Sequence, residues 1–316
     1  MKVLFVCRGN KKFLISPIIK AQADSLISEG IDVNIFPLKG KEVFSYINNV
    51  FLLQKEIKKN KYDLIHAHFG LSGIIAAFAS SKKKLVVSLM GSEAYYSKTL
   101  KFINSLFAIY AWGVTIVKTQ AMKAHFEKSK PIIVPNGVNL NVFYPMDKKQ
   151  ARAKLGLPEN NKIILFPSYP FRKEKNFAFA KAVCDQLKNV QLINFDGVKH
   201  DTVNLMLNAA DVTILPSIFE GSPNVIKEAM ACNRPIVANN VGDIAETIGD
   251  TEGCYITNLN LKTFIHKTRL ALDFSEKMEG TKGRDRIISQ KLDSKSVAQK
   301  LISIYTTFLK NRAVTN

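Results

Sequence analysis

The chain has 316 residues, of which 47% are hydrophobic and 22% charged, a composition typical of a soluble globular protein that excludes intrinsic disorder. Its length suits two domains, each able to bury a core of its own. The 45 Lys and Arg residues against 26 Asp and Glu give a net charge of +19, which favours anionic partners; because no base-reading motif is present, we expect no nucleic acid partner.

The first half of the chain alternates strand and helix patterns, beginning with the apolar run of residues 3–7. Further strands are predicted at residues 32–36, 63–67, 85–88, 113–117 and 132–134. Because helical stretches separate these strands, we expect a parallel, doubly wound sheet. No apolar run reaches the length of a transmembrane helix.

Several candidate site residues lie where these strands end. Gly9 follows the first strand, His66 and His68 end the third, and Met90 and Glu93 follow the fourth. Ligands of open parallel sheets collect at the carboxyl ends of the strands, so His68 and Glu93 are candidates for binding a substrate. The two histidines point to the same face of their strand, and packing in the core is the alternative for both.

Residues 98–130 combine basic flanks with aromatic side chains, among them Phe102, Phe107, Tyr110 and Trp112. Two interpretations are open. A helix with cationic and aromatic residues can lie on an anionic membrane surface, whereas an ordinary core helix followed by a strand is the favoured alternative. Residues 1–145 contain 20 basic and 8 acidic residues, a net charge of +12, which supports the first interpretation.

A domain boundary is predicted near Tyr144, because Pro135, Gly137 and Pro145 interrupt regular structure there. The predicted domains are residues 1–144 and 145–316. The second begins with a short helix that Asp147 can cap and that should end at Gly156.

A strand at residues 163–166 opens the second domain's sheet, followed by a loop that carries Arg172 and Lys175 before a helix near Asn176. Cations at the amino end of a helix oppose its dipole. An anionic ligand would explain them, and a solvated charge cluster is the alternative.

The most informative stretch is residues 211–246, DVTILPSIFEGSPNVIKEAMACNRPIVANNVGDIAE. It predicts a strand at residues 212–215, a loop, a helix that Ser222 caps and that begins at Pro223, and a strand at residues 235–238. Free amides at the helix start suit a phosphate, whereas the carboxylates of Glu220 and Glu228 suit hydroxyl groups or a cation.

Two glutamates separated by seven residues, with Gly-Ser-Pro-Asn-Val between them and AM-C-x-x-P-I-V after them, resemble the signature of the retaining glycosyltransferases of family 4, which have the GT-B fold. The resemblance extends over nearly the whole chain. It implies an α/β protein of two Rossmann-like, doubly wound domains facing a central cleft, with the donor in the second domain and the acceptor in the first.

The same resemblance implies roles for particular residues. Glu220 would contact the transferring sugar, Glu228 the ribose of the donor, and Arg172 with Lys175 its diphosphate. The remaining donor-binding residues implied are Gly9, Gly221, Ser222, Pro223, Asn224 and Val225. This chain departs from the family at two loops: Gly9 stands where many members have a glycine pair, and Met90 replaces a histidine that binds sugar, so that role does not transfer.

The four cysteines, Cys7, Cys184, Cys232 and Cys254, lack the spacing of a metal site or a disulfide framework, so we expect reduced thiols in a cytoplasmic protein. The basic, aromatic segment 98–130 leaves open a peripheral location on the inner face of the plasma membrane. Towards the end of the chain we predict a strand at residues 254–257 and helices at 260–272, 275–289 and 295–311. The resemblance implies that the last helix returns to the first domain.

The function predicted is transfer of a sugar from a nucleoside diphosphate sugar to a hydroxyl of a glycan or lipid-linked acceptor, in cell-surface polysaccharide synthesis. We expect no cofactor and no metal, since fixed cations would stabilise the leaving diphosphate. The alternatives are another GT-B activity, such as a sugar epimerase or phosphorylase, and a non-catalytic protein that binds sugar nucleotides or polyanions.

Overall fold

A computed structural model of the protein describes residues 1–8, 15–40, 43–91, 97–198 and 202–313. The chain forms two compact units, the first made of Met1–Gly137 with Ser294–Asn316 and the second of Val138–Asp293. Each unit contains one parallel sheet flanked by helices. Within the described ranges, no helix is long and apolar enough to cross a membrane.

The sheet of the first unit has six strands, which are β1 (Lys2–Arg8), β2 (Asp32–Leu38), β3 (Leu64–His68), β4 (Leu85–Ser88), β5 (Val114–Val117) and β6 (Ile132–Ile133). They lie in the order β2-β1-β3-β4-β5-β6, and all neighbours are parallel. The helices that follow these strands are α1 (Pro17–Ser28), α2 (Val43–Asn60), α3 (Gly70–Ala79), α4 (Lys98–Tyr110) and α5 (Gln120–His125).

Both faces of this sheet are buried, which explains why β1 is apolar without interruption. Alternate residues of β1 enter two different cores: Leu4 and Val6 pack on one face, and Val3 and Phe5 on the other. The sequence of this strand therefore shows no polar alternation, although its side chains still point alternately to two faces.

The sheet of the second unit has five strands, which are β7 (Lys162–Phe166), β8 (Val190–Asn194), β9 (Val212–Leu215), β10 (Ile236–Asn239) and β11 (Cys254–Thr257). Their order is β11-β10-β9-β7-β8, and all neighbours are parallel. The helices of this unit are α6 (Lys148–Leu155), α7 (Phe177–Asp185), α8 (Val203–Ala209), α9 (Asn224–Ala231), α10 (Ile244–Ile248), α11 (Leu261–Lys277) and α12 (Gly283–Ser289).

The last helix, α13 (Ser294–Ala313), packs against α1 in the first unit. Val297, Leu301 and Tyr305 are buried on the face of the sheet that also receives Val3 and Phe5. The hydroxyl of Tyr305 lies 2.5 Å from Nδ1 of His66, so a polar contact joins this helix to β3 within the apolar core.

The division between the units falls at Gly137, whereas the sequence pattern placed it near Tyr144. Phe143 belongs to the core of the second unit, and its carbonyl accepts a hydrogen bond of 2.8 Å from Arg284. The backbone N–H of Tyr144 donates to the side chain of Asn204 at 3.3 Å. These contacts attach the segment before Tyr144 to the second unit.

In the second unit one strand was missed and one predicted helix is wrong. Strand β8 was not predicted, and the helix predicted at residues 275–289 does not exist as one element, because α11 continues to Lys277 and α12 begins only at Gly283. At Gly280 a Cβ atom would lie 2.9 Å from the carbonyl oxygen of Asn233, and the same oxygen accepts a hydrogen bond of 2.9 Å from the N–H of Thr281, so the chain between the two helices lies close against a neighbouring backbone.

The aromatic residues of segment 98–130 divide into two environments. Phe102 and Tyr110 are exposed, whereas Trp112 is buried and its indole N–H donates a hydrogen bond of 3.2 Å to the carbonyl of Gly73. Trp112 therefore belongs to the core, and only part of the predicted aromatic surface is available to a partner.

Candidate functional site

Two loops of the second unit meet at the carboxyl ends of β7 and β9. The two strands are adjacent and parallel, with Ile164 opposite Val212, so the segments that follow them leave the sheet at the same edge. The loop after β7 contains a 3₁₀ turn at Lys173–Lys175. The N–H of Ile218, in the loop after β9, donates to the carbonyl of Glu174 at 2.9 Å and fastens the two loops together.

Lys175 and Glu220, both predicted from the sequence as catalytic, form an ion pair between these loops. The ammonium of Lys175 contacts Oε1 of Glu220, and the two side chains are only 9% and 10% exposed. A charge that is so shielded from water needs a partner of opposite sign, and Lys175 and Glu220 are each other's partners.

Ser217 is a further site residue that sequence analysis did not single out. Its hydroxyl donates to Oε1 of Glu220 at 2.7 Å, and its own carbonyl accepts a hydrogen bond of 2.8 Å from the side chain of Asn239 on β10. It lies three positions before Glu220 and directly follows Pro216 at the end of β9. The sequence signal that could have identified Ser217 is its position as a polar residue just after the carboxyl end of a buried strand.

Arg172 lies in a different environment from Lys175. Its guanidinium is exposed and pairs with the carboxylate of Glu174, at 2.8 Å from Nε and 2.6 Å from one terminal nitrogen. The structure thus places Arg172 on the same loop as Lys175 but not in the buried ion pair. Its contact with a diphosphate stays a prediction.

The start of α9 differs from the expectation. The helix begins at Asn224 and not at Pro223, which is itself the cap residue, has an extended ψ of 117° and makes no side-chain capping hydrogen bond. Because Pro223 occupies the cap position, Ser222 lies one residue too early to cap the helix. Its hydroxyl instead accepts a hydrogen bond of 2.8 Å from the ammonium of Lys227.

Glu228 lies on α9, beyond the predicted donor loop. Burial raises the pKa of its carboxyl group to about 7, although the nearby ammonium of Lys227 acts in the opposite direction. Near neutral pH the carboxyl group is therefore a mixture of protonated and ionised forms. The donor-binding roles of Glu228, Gly221, Pro223, Asn224 and Val225 stay predictions.

The acceptor-side candidates are in the first unit. His68 is fully buried, and its Nε2 lies 2.8 Å from Oε1 of Gln22. Burial, reinforced by the charge of Lys118, lowers the pKa of His68 to about 3, so the ring is neutral and donates from Nε2. A direct contact of His68 with an acceptor stays a prediction; the structure shows it packed in the core.

His66 is stacked on His68, with ring centroids 4.3 Å apart, and its two nitrogens contact Tyr305 and Ser88. It has the packing role that was the alternative for both histidines. Gly9 and Glu93 lie outside the described residues.

Comparison with known proteins identifies two consecutive family matches. Residues 12–134 match the family described as "Glycosyl transferase 4-like", and residues 168–273 match "Glycosyl transferases group 1". The second match contains the ion pair of Lys175 and Glu220.

Three curated relatives are named for transferase activities. A putative teichuronic acid biosynthesis glycosyltransferase of Bacillus subtilis is 27% identical over 59% of this chain, and the match covers 55% of that protein. An Escherichia coli α-1,3-galactosyltransferase named for UDP-Gal and a diphosphoundecaprenol substrate is 26% identical over 70% of this chain and 69% of its own length. A Campylobacter jejuni α-1,3-N-acetylgalactosaminyltransferase, also named for a diphospho-undecaprenol substrate, is 24% identical over 85% of this chain and 83% of its own.

Solved structures match the whole fold. A sucrose-phosphate synthase of Thermosynechococcus elongatus gives a TM-score of 0.82 at 17% identity, over 98% of this chain and 99% of that one. Anabaena HepE in complex with UDP gives 0.75 at 18% identity, over 97% and 100%. With two parallel sheets flanked by helices, these likenesses confirm the predicted α/β GT-B fold of two Rossmann-like domains.

We predict that Lys175→Met lowers the free energy of unfolding of the second unit by about 3–5 kcal/mol, because it leaves the carboxylate of Glu220 shielded from water without its cation. The double variant Lys175→Met/Glu220→Gln should recover most of this loss. Urea denaturation followed by far-ultraviolet circular dichroism measures both.

Lys173→Met is the matched control, since Lys173 is exposed in the same turn, and its effect should stay within about 0.5 kcal/mol. Equal stability of the Lys175→Met and Lys173→Met variants would contradict a stabilising ion pair.

Proposed function

Since the chain belongs to the glycosyl transferases group 1 family and is a glycosyltransferase, we propose that it is a retaining enzyme that uses a nucleoside diphosphate sugar. Its proposed acceptor is a hydroxyl of a glycan or lipid-linked substrate, and its product part of a cell-surface polysaccharide. The relatives named for diphosphoundecaprenol substrates support a lipid-linked acceptor, and the relative named for teichuronic acid supports polysaccharide synthesis.

The ion pair of Lys175 and Glu220 is the observation that carries this proposal. It sets the cation expected to meet the departing diphosphate directly against the carboxylate expected to meet the transferring sugar. In the proposed reaction, the bond between the anomeric carbon and the diphosphate oxygen breaks while the acceptor oxygen bonds on the same face. The acceptor proton passes to the departing phosphate, so the reaction requires no protein base.

Negative charge grows on the diphosphate as this bond breaks, and positive charge grows on the sugar. Lys175, and Arg172 from the same loop, would stabilise the first charge, and Glu220 the second. Because Glu220 is already held by Ser217 and Lys175, little reorganisation is needed when the charges develop. These roles require neither a metal nor a cofactor.

A product assay tests the proposed function. With UDP-galactose first, and then a panel of nucleotide sugars, we expect release of nucleoside diphosphate and a glycosylated product only when a lipid diphosphate-linked acceptor is present. Turnover should persist in excess EDTA. Isomerisation of the donor in the absence of acceptor would indicate an epimerase, and release of a sugar phosphate would indicate a phosphorylase. Binding of the donor without any product would indicate a non-catalytic protein. Loss of turnover in EDTA that Mg²⁺ restores would exclude the metal-free mechanism.

We predict that substitution of the two glutamates separates binding from catalysis. Glu228→Gln should weaken binding of nucleoside diphosphate and intact donor alike by about 1–3 kcal/mol, because a charge-assisted hydrogen bond to ribose is lost. Glu220→Gln should leave affinity for free nucleoside diphosphate nearly unchanged but lower kcat, because its interaction strengthens as the sugar departs. Calorimetry and steady-state kinetics measure the two effects.

The raised pKa of Glu228 adds a pH dependence to this comparison. As pH rises from 6 to 8 the carboxyl group ionises and becomes a stronger acceptor, so the ratio of wild-type to Glu228→Gln affinity should increase. Titration of the ligand's own phosphate affects both proteins equally and therefore cancels from this ratio. A pH-independent ratio, or loss of nucleotide binding in Glu220→Gln alone, would show that the two roles are assigned wrongly.

We also propose that the first unit binds an anionic membrane surface from the cytoplasmic side. Phe102, Leu106 and Tyr110 are exposed at intervals of four residues along α4, so they share one face of the helix. Lys98 is exposed one turn before them. The same helix packs against α3, which exposes Phe78, and α3 packs against α2, which exposes Phe44.

We predict that the protein sediments with vesicles containing anionic lipid and that salt releases it, since each basic residue near such a surface contributes about 1 kcal/mol and is screened. Phe102→Ser/Tyr110→Ser should weaken this binding. Phe171→Ser removes an equally exposed aromatic ring from the second unit and is the control expected to bind normally. Equal binding to neutral vesicles, or none to anionic ones, would disprove the proposed attraction to an anionic membrane surface.

A further inference from the structure

Lys227 is a buried cation that the proposed reaction does not use. It lies in the first turn of α9 and is only 1% exposed. Both circumstances are unfavourable, because the amino end of a helix repels positive charge and because burial lowers the pKa of its ammonium. The surroundings of Lys227 must therefore compensate its charge.

Ser222 accepts a hydrogen bond from Lys227, and the carboxylates of Asp243 and Glu228 attract its ammonium. The ammonium of Lys227 donates to the hydroxyl oxygen of Ser222 at 2.8 Å, and the hydroxyl of Ser222 in turn donates to the carboxylate of Asp243. Asp243 is only 7% exposed and attracts Lys227 electrostatically. The three side chains form a chain of hydrogen bonds between two buried charges, here called the Lys227–Ser222–Asp243 clamp.

The backbone reinforces the clamp at the same place. The N–H of Asp243 donates to the carbonyl of Gly221 at 3.2 Å. Gly242 has a φ of +63°, and a Cβ atom there would lie 2.2 Å from the same carbonyl oxygen. The turn before α10 is therefore pressed against the residue that follows Glu220, and a side chain at position 242 would push the two apart.

We propose that Lys227 and Asp243 are positioning residues for sugar transfer, which hold the loop Glu220–Pro223 through Ser222 so that the carboxylate of Glu220 stays beside Lys175. The inference rests on the proposed function of Glu220. Neither residue contacts the substrate; they act on the reaction through the loop.

A charged clamp suits this task better than an apolar contact would. A buried ion pair adds little net stability, because desolvation of the two charges offsets their attraction. Its hydrogen bonds, however, have fixed directions and lengths, and a displacement of about 1 Å near the reacting atoms can cost about 100-fold in rate. The clamp thus fixes where the loop lies more than whether the unit folds.

Two measurements on Lys227→Met, Asp243→Asn and the double variant test the clamp. First, each single variant should lower kcat at least tenfold, about 1.4 kcal/mol, and the double variant should lower it no further than the worse single variant, because the pair acts as one unit. Second, amide hydrogen exchange in peptides covering residues 216–224 should become at least tenfold faster in all three variants.

Ser222→Ala and Ser222→Thr provide a conservative comparison, since only the second keeps a hydroxyl between Lys227 and Asp243. We expect loss of kcat in the first and its retention in the second. Arg152→Met is the matched control, because Arg152 pairs with Asp211 at 2.7 Å, equally buried but at the amino end of β9. It should lower stability while leaving kcat of the folded enzyme and exchange in residues 216–224 unchanged.

Unchanged exchange in residues 216–224 of Lys227→Met, or a lowered stability with unchanged kcat, would overturn the inference and leave Lys227 a structural residue. If the wild-type protein transfers no sugar, the proposed function fails. The exchange measurement then still decides whether the clamp holds the loop.

Discussion

The adjacency of β7 and β9 is the constraint on which the site depends. Two parallel neighbours must release their chains at the same edge of the sheet, so a lysine that follows one strand and a glutamate that follows the other meet although 45 positions separate them. Because both side chains are buried where they meet, each charge needs the other as its partner. The topology of the sheet thus creates the ion pair, and the ion pair fixes the loops.

The second unit contains buried ion pairs near the amino ends and near the carboxyl ends of its strands, and the surroundings of these pairs differ. At the amino end of β9, Asp211 accepts hydrogen bonds from Arg152, Lys148 and the backbone N–H of Ile163. At the carboxyl end, Glu220 and Asp243 are each held through a serine hydroxyl, Ser217 and Ser222 respectively. Asp211 joins elements of the scaffold, whereas the other two carboxylates position a loop in which the proposed chemistry takes place.

The sequence predicted most of what depends on short-range pattern. The apolar runs of β1, β4 and β9 are buried and were recognised, whereas β8, whose residues are all only half-buried, gives a weak signal. The burial of Trp112 and the break at Gly280 depend on neighbours distant in sequence, which no local pattern reports. The contacts of the Ser222 hydroxyl also depend on residues distant in sequence. Its position before Pro223 suggested a helix cap, and only the fold brings Asp243 close enough to accept a hydrogen bond from it.

The two units distribute their charges in opposite ways, and this contrast bears on their proposed roles. In the second unit the cations Lys175 and Lys227 are buried and held in place by nearby side chains, Lys175 by Glu220 and Lys227 by Ser222. In the first unit the excess positive charge lies in a sequence whose helices also expose aromatic rings such as Phe44 and Phe102. Such exposed groups do not hold a ligand in one orientation, but they attract anionic and apolar groups over a wide surface. This suits an extended amphipathic acceptor better than a small sugar. The donor would thus be recognised by preorganised contacts, and a lipid-linked acceptor by a surface.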